Sequence, residues 1–135
     1  DKLHLQSKVI FHDQVYDTTP YYKAADVFIL SSFFEGFPNV IIEAMSNGVP
    51  IISTDCKSGP REILDVDYNI VIDKMFCSKY GVITPVNDEV EMVSAITNLL
   101  GSPEYYNSLC ISGFERIKAL KKSQAQNIYK VDFSN

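Results

Sequence analysis

The chain predicts an α/β fold, a parallel sheet with flanking helices, on three observations. Short continuous apolar runs recur at residues 27–30, 50–54 and 81–84. Segments with helical spacing of apolar residues follow them, at 40–47, 61–64 and 88–100. Short loops carrying Gly, Pro and small polar residues join the two kinds of segment. Strands alternating with helices in this way form βαβ units, whose sheets are covered on both faces.

The elements follow in order. Val9, Ile10 and Phe11 predict a first short strand, and a polar stretch runs from there to Pro20. Residues 21–26 predict a short helix with Pro20 near its start. Val27, Phe28, Ile29 and Leu30 read as a strand buried on both faces, ended by Ser31 and Ser32. The loop 33–39 contains Gly36 and Pro38, and the helix after it spans 40–47 with Gly48 at its C′ position. Val40, Ile41, Ala44 and Met45 share one face of that helix, with Glu43 on the opposite side. Ile51 and Ile52 centre the next strand, and a brief helix is expected at 61–64. Residues 65–80 have no period and suggest one short strand around 70–72. A strand at 81–85 precedes a helix capped by Asn87, with Val90, Val93, Ile96, Leu99 and Leu100 as its stripe. Ser102 and Pro103 start a further helix, with helical pattern resuming past Gly113 and again from Ser123 to Phe133.

Composition narrows the function. The chain has 135 residues, enough for one domain and one core, and eight Phe and eight Tyr spread along it argue against disorder. Twelve basic residues against 17 acidic ones, net charge −5, argue against nucleic-acid binding, which needs a concentrated basic face. Lys118, Lys121 and Lys122 form one cationic cluster, read as a solvated helix surface. Cys56, Cys77 and Cys110 have neither zinc spacing nor the density of a disulfide scaffold, which suggests a reducing compartment. No apolar run reaches the ~18–20 residues of a membrane span, and no signal-peptide pattern is present. The chain opens at Asp1 without an initiator Met and is expected to be part of a longer protein.

Parallel sheets bind ligands at the carboxyl ends of their strands, so loops 12–19, 31–39 and 54–60 are the places to look. The densest is Ser31 to Asn39, leading into the helix that carries Glu43. Gly36 lets backbone approach a ligand, and the amides of Phe37, Asn39 and Val40 sit at a helix mouth suited to phosphate. Glu35 and Glu43 supply carboxylates, acceptors suited to the vicinal hydroxyls of a sugar or a ribose. A pair of Glu at this spacing is also compatible with a plain polar loop and a solvent-facing helix position.

The wider string from Ala25 to Thr54 carries more. Ala25-Asp26, the apolar run, Ser32, Glu35-Gly36-Phe37-Pro38, Glu43-Ala44-Met45, Gly48, and Pro50-Ile51-Ile52 stand in order and in register. This resembles the signature of the GT-B-fold retaining glycosyltransferases of family 4, two Glu separated by seven residues in an otherwise apolar and Gly-marked frame. The resemblance continues through residues 58–64 and 80–85 into the helix after Asn87.

The resemblance implies a Rossmann-like C-terminal domain that binds a nucleotide-diphosphate sugar, a substrate rather than a cofactor, with no metal requirement. It implies that Glu35 contacts hydroxyls of the donor sugar near the reacting centre, as the catalytic carboxylate and not as a nucleophile. Glu43 holds the ribose diol, and backbone of Gly36, Phe37, Pro38, Asn39 and Val40 meets sugar and phosphate oxygens. Gln14 and Val15 match the stretch that passes the nucleobase. Arg61 could meet the donor phosphate or simply pair with an acid.

Residues 1–135 then form the latter part of the donor-binding domain, with C-terminal helices from about residue 102. The basic pair that grips the diphosphate and the N-terminal domain that binds the acceptor lie outside this stretch in the family. The expected activity is retaining hexosyl transfer, UDP-sugar favoured, to a glycan or lipid-linked acceptor in polysaccharide or lipopolysaccharide biosynthesis. This chain alone is expected to be inactive. A cytoplasmic location, at the inner face of the membrane through peripheral association, is the matching expectation. The alternative is a non-catalytic nucleotide-sugar-binding module needing a partner chain; an epimerase of related fold fits less well. A sheet lacking its first strands predicts some self-association.

Lesser signals read as structure. Asp65-Val66-Asp67 matches a three-residue metal pattern common by chance, His12 is a lone loop histidine, and Cys56 is read as packing.

Overall fold

The computed structural model describes residues 3–131, with side chains through residue 124. Its four strands are β1 (Phe28–Leu30), β2 (Ile51–Thr54), β3 (Phe76–Cys77) and β4 (Val82–Thr84). Its helices are α1 (Thr19–Ala24), α2 (Asn39–Ser46), α3 (Pro60–Leu64), α4 (Glu89–Gly101) and α5 (Pro103–Val131). The sheet order is β1-β2-β4-β3. β1, β2 and β4 are parallel, with Phe28 opposite Ile51 and Ile52 opposite Val82. β3 adds to β4 as an antiparallel edge.

The pleat of the central strands builds the core in two layers. Ile51 and Ile83 point to one face, where Ile41, Ala44 and Met45 of α2 and Ile63 and Leu64 of α3 cover them. Ile52 and Val82 point to the other, under Ala95 and Leu99 of α4 and Leu109 of α5. All four residues of β2 are buried, the signature of a strand covered on both faces. Each fully buried aliphatic side chain here contributes ~1.5–3 kcal/mol. α5 crosses both layers, reaching the α2 side through Ile117 and Leu120. Its polar groups latch it down: the Tyr106 hydroxyl donates to the Asp26 carbonyl (2.8 Å), and Arg116 donates to the carbonyls of Ile63 (2.7 Å) and Glu62 (2.6 Å).

Several expectations are corrected. Val9, Ile10 and Phe11 form no strand; Phe11 is 92% exposed, and β1, the sheet's edge, pairs only with β2 among the described residues. Edge position also leaves Ile29 exposed, so β1 is not buried on both faces. The short strand lies at 76–77 rather than around 70–72, because β4 offers its free edge there. Asn87 sits at φ 60° and Asp88 is the cap of α4, its carboxylate accepting from the Glu91 amide (3.0 Å). The buried face of α4 carries Ala95 and Leu99, flanked by Met92 and Ile96, whereas Val90, Val93 and Leu100 are exposed. The apolar residues of α4 thus form two stripes, and the sheet selects the one with the small Ala95 at its centre. Gly113 interrupts nothing: α5 is one continuous helix, and Gly113 passes over Met45 of α2. The end of the third predicted helical stretch, beyond residue 131, lies outside the described residues. No helix among those residues is long and apolar enough to cross a membrane.

Candidate functional site

Two loops at the carboxyl edge of the sheet are fastened to each other: 31–38, between β1 and α2, and 55–59, between β2 and α3. The Ser58 hydroxyl donates to the Glu35 carbonyl (2.7 Å), and Phe34 pairs with Lys57 in an isolated parallel bridge. Gly59, at φ 86°, lets the loops touch: a Cβ there would stand 2.3 Å from Pro38 Cδ and 2.8 Å from the Gly36 carbonyl oxygen. The Thr54 hydroxyl, at the end of β2, donates to the Ser32 carbonyl (2.6 Å). The Ser32 hydroxyl in turn donates to Glu35 Oε1. Glu35 is therefore held half-buried, with Oε2 free of protein partners among the described residues.

α2 opens directly behind this loop. Its first residue follows Pro38, no side chain caps it, and the amides of Phe37, Asn39 and Val40 have no partner among the described residues. Unpaired amides at a helix start, backed by the helix dipole, form an anion site. Pro38 is buried beneath Gly59, while Gly36, Phe37, Asn39 and Val40 face outward. A Cβ at Gly36 would meet nothing within 4 Å, so the backbone there lies open to an approaching group.

Glu43, one turn further along α2, is exposed, and its Oε2 accepts from the Tyr22 hydroxyl (3.0 Å) and from Thr18 Oγ1 (3.3 Å). Tyr22 is buried in α1, its ring tilted against Phe28. Burial first, and then the bond to Glu43, push its phenol up to about 12. Thr18 stands at the N-cap of α1 but makes no capping bond, giving its hydroxyl to Glu43 instead.

The remaining sequence-derived residues fall into place differently. Gln14 is exposed and Val15 half-buried, in a segment that joins the site through Thr18 at its end. It follows no strand, so loop 12–19 is not at a strand's carboxyl end. His12 Nδ1 lies 3.4 Å from the Tyr21 hydroxyl, ring edge to face. Arg61 takes the acid-pairing alternative: Nε and Nη2 grip both oxygens of Asp55 (2.6 and 2.7 Å), and Nη1 donates to the carbonyls of Asp67 and Ile70. Four of its five N–H groups are spent on ordering the loop before and the turn after α3. Asp65 closes α3 in the left-handed region and Asp67 caps the Asn69 amide, so this pair serves the backbone. No group of three or more His, Cys, Asp or Glu placed to hold a metal occurs among the described residues. Cys56 is buried, and desolvation raises its thiol.

A groove of about 260 Å³ opens on the α4 side of the same loop, lined by Ser31, Phe33, Thr54, Pro85, Asn87 and Met92, among others. Neither Glu35 nor Glu43 lines it.

The sequence named the two glutamates and the helix mouth as candidates. It missed Tyr22, Thr18 and Thr54, and did not assign Ser32 and Ser58 their tethering roles. Ser32 stands three residues before Glu35, near enough along the chain for their side chains to meet within one loop. Tyr22 lies 21 residues from Glu43 and carried no such local signal.

Residues 1–102 match the family model described as glycosyl transferases group 1. An uncharacterized glycosyltransferase of Methanocaldococcus jannaschii is 44% identical over 86 residues, covering 62% of this chain and 21% of that protein. A Campylobacter jejuni protein named as an N-acetylgalactosaminyltransferase acting on a diphospho-undecaprenol-linked sugar is 28% identical, over 90% of this chain and 30% of its own length. The chain thus spans less than a third of these relatives. Among solved structures, sucrose-phosphate synthase from Thermosynechococcus elongatus superposes with a TM-score of 0.73 at 28% identity, covering 98% of this chain and 32% of that one. The C-terminal domain of a glycosyl transferase group 1 protein from Francisella tularensis shares the fold, with a TM-score of 0.66 at 21% identity over 87% of this chain and 56% of that one. The expected glycosyltransferase-type α/β fold is therefore present, and the chain belongs to the glycosyl transferases group 1 family.

Proposed function

We propose that this chain supplies the donor-binding part of a retaining glycosyltransferase that takes a nucleotide-diphosphate sugar, a UDP-sugar by preference, and serves a glycan or lipid-linked acceptor. One observation carries the reading: the uncapped mouth of α2 lies between two tethered carboxylates, Glu35 before it and Glu43 along it. That is one anion site flanked by two hydroxyl-binding groups, the order of parts in a sugar–diphosphate–ribose chain. Glu35 is assigned to the sugar, the amides of Phe37, Asn39 and Val40 to sugar and phosphate oxygens, and Glu43 to the ribose. Negative charge at Glu35 also stabilises positive charge developing on the sugar ring as the leaving group departs. Gln14 and Val15 are assigned to the base, and no metal ion is needed.

The acceptor class rests on relatives. A lipopolysaccharide 1,6-galactosyltransferase of Salmonella typhimurium is 49% identical over 47 residues, and the Campylobacter protein acts on a lipid-linked sugar by its name. An acceptor of that kind places the whole protein at the inner face of a membrane. Calorimetric titration of UDP, GDP and their sugars into the protein at its natural length tests the donor reading. Weaker nucleotide binding in Glu43→Ala, and loss of the added affinity of the sugar conjugate in Glu35→Ala, support it; binding unchanged in both variants overturns the site.

A further inference from the structure

The geometry of α1 and α2 points to a residue that determines how the second glutamate is used, and this rests on the donor reading of Glu43. An ionised carboxylate offers four acceptor positions, two on each oxygen. Both positions on Glu43 Oε2 are filled, by the Tyr22 hydroxyl of α1 at 3.0 Å and by Oγ1 of Thr18, the residue before α1, at 3.3 Å. Oε1 has no protein partner among the described residues. A free glutamate on an exposed helix face would sample several rotamers and lose that freedom on binding. This one is fixed beforehand from a ring that is only 7% exposed and packed against Phe28 of β1.

We propose that Tyr22, assisted by Thr18, is a positioning residue for Glu43, occupying Oε2 so that Oε1 is the acceptor presented to the vicinal hydroxyls of a ribose. Tyr22 touches no ligand in this scheme; it acts through Glu43. The phenol is suited to the role because burial and the neighbouring carboxylate keep it protonated, and so a donor, throughout the physiological range. The arrangement also links recognition to the segment before α1, since Thr18 belongs to the loop that carries Gln14 and Val15.

The test uses the protein at its natural length, with UDP and GDP and their 2′-deoxy counterparts as probes, by calorimetry alongside thermal melting. Tyr22→Phe keeps the ring and removes the bond. The expected result is about three- to tenfold weaker binding of the ribonucleotide, the scale of one ordinary hydrogen bond, because the bond acts on the ligand only through Glu43. The 2′-deoxynucleotide should bind nearly as before, the melting temperature should hold, and Tyr22→Phe should add nothing in a Glu43→Ala background. Thr18→Val, at an exposed position, should give a smaller loss of the same ribose-specific kind. Full ribonucleotide binding in both Tyr22→Phe and Thr18→Val, with Glu43→Ala impaired, overturns the positioning role and leaves the donor reading standing. Equal losses for ribo- and deoxynucleotide with a lowered melting temperature also overturn it, in favour of packing alone. Unimpaired binding in Glu43→Ala, or no nucleotide binding by the parent protein, overturns both.

Discussion

Gly59→Ala is the sharpest single perturbation of the site, because Gly59 touches the Glu35 loop without belonging to it. Two costs add. At φ 86° and ψ −66° an alanine is held outside the regions L residues favour, at about 1–3 kcal/mol. Its Cβ would also lie 2.3 Å from Pro38 Cδ and 2.8 Å from the Gly36 carbonyl oxygen, a clash with a ring and a backbone atom that cannot rotate away. Overpacking of that kind costs roughly another 1–3 kcal/mol. The combined ~2–6 kcal/mol is a large part of the ~5–15 kcal/mol by which a domain is stable. Relief requires the two loops to separate, which breaks the bond from Ser58 to the Glu35 carbonyl and shifts the mouth of α2. Thermal melting and donor titration of Gly59→Ala, beside Gly36→Ala as control, read both effects. Gly36→Ala should melt like the parent, since its Cβ meets nothing within 4 Å, yet lose donor affinity where backbone faces the ligand. Gly59→Ala with the parent's melting temperature and donor affinity refutes the reasoning that the 55–59 loop holds the Glu35 loop in place.

Arg61→Lys should lower the melting temperature by several degrees, about 2–3 kcal/mol, because lysine cannot span both Asp55 oxygens and the carbonyls of Asp67 and Ile70. A stable Arg61→Lys variant would show that the fork is not needed for folding. Gly113→Ala should raise stability by about 0.5–1 kcal/mol, read by denaturant titration: its Cβ would meet Met45 Cβ at an ordinary 3.6 Å, inside a continuous helix. Destabilisation there would mean that α2 and α5 pack more tightly than the structure has them. The pH dependence follows from Tyr22, whose phenol is raised from 10 to about 12 in the fold. A raised phenol favours the neutral form in the folded state, so its contribution is whole below pH 10 and is lost as pH rises from there through about 12. Ribonucleotide binding should show no Tyr22-dependent step between pH 6 and 9, and a step there that Tyr22→Phe removes would contradict it.

What was legible in the sequence was local. The α2 region was largely legible because Gly36, Pro38 and Gly48 each mark their own backbone, a loop, a helix start and a helix stop, although Val40, read as part of the apolar face, is exposed. What escaped depended on partners. Residues 9–11 and 28–30 carry similar apolar runs, and only the second has β2 beside it. β3 has two residues and exists because β4 has an open edge, which no pattern within 65–80 reveals. α4 offered two apolar stripes, and the choice between them is made by the sheet. In the site, the carboxylates could be named from the chain, while their restraint could not. Tyr22 and Glu43 are 21 residues apart, Thr54 and Ser32 are 22 apart, and Ser58 and Glu35 are 23 apart. The last two bonds are products of the βαβ crossover that brings the ends of β1 and β2 together, and the first joins the helices on either side of β1. Arg61 shows the same limit: the chain left a phosphate and an acid equally open, and burial beside Asp55 is a tertiary fact.

The most direct measurement is a calorimetric comparison of the protein at its natural length with Glu35→Ala and Glu43→Ala, titrated with a nucleotide, its ribose-modified form and its sugar conjugate. Glu43→Ala should weaken the nucleotide itself, by about tenfold, and erase the preference for ribose over deoxyribose. Glu35→Ala should leave the bare nucleotide nearly untouched and remove the added affinity of the sugar conjugate. Loss of affinity in neither variant, or the two effects exchanged between the glutamates, would contradict the assignment of sugar, phosphate and ribose along the mouth of α2.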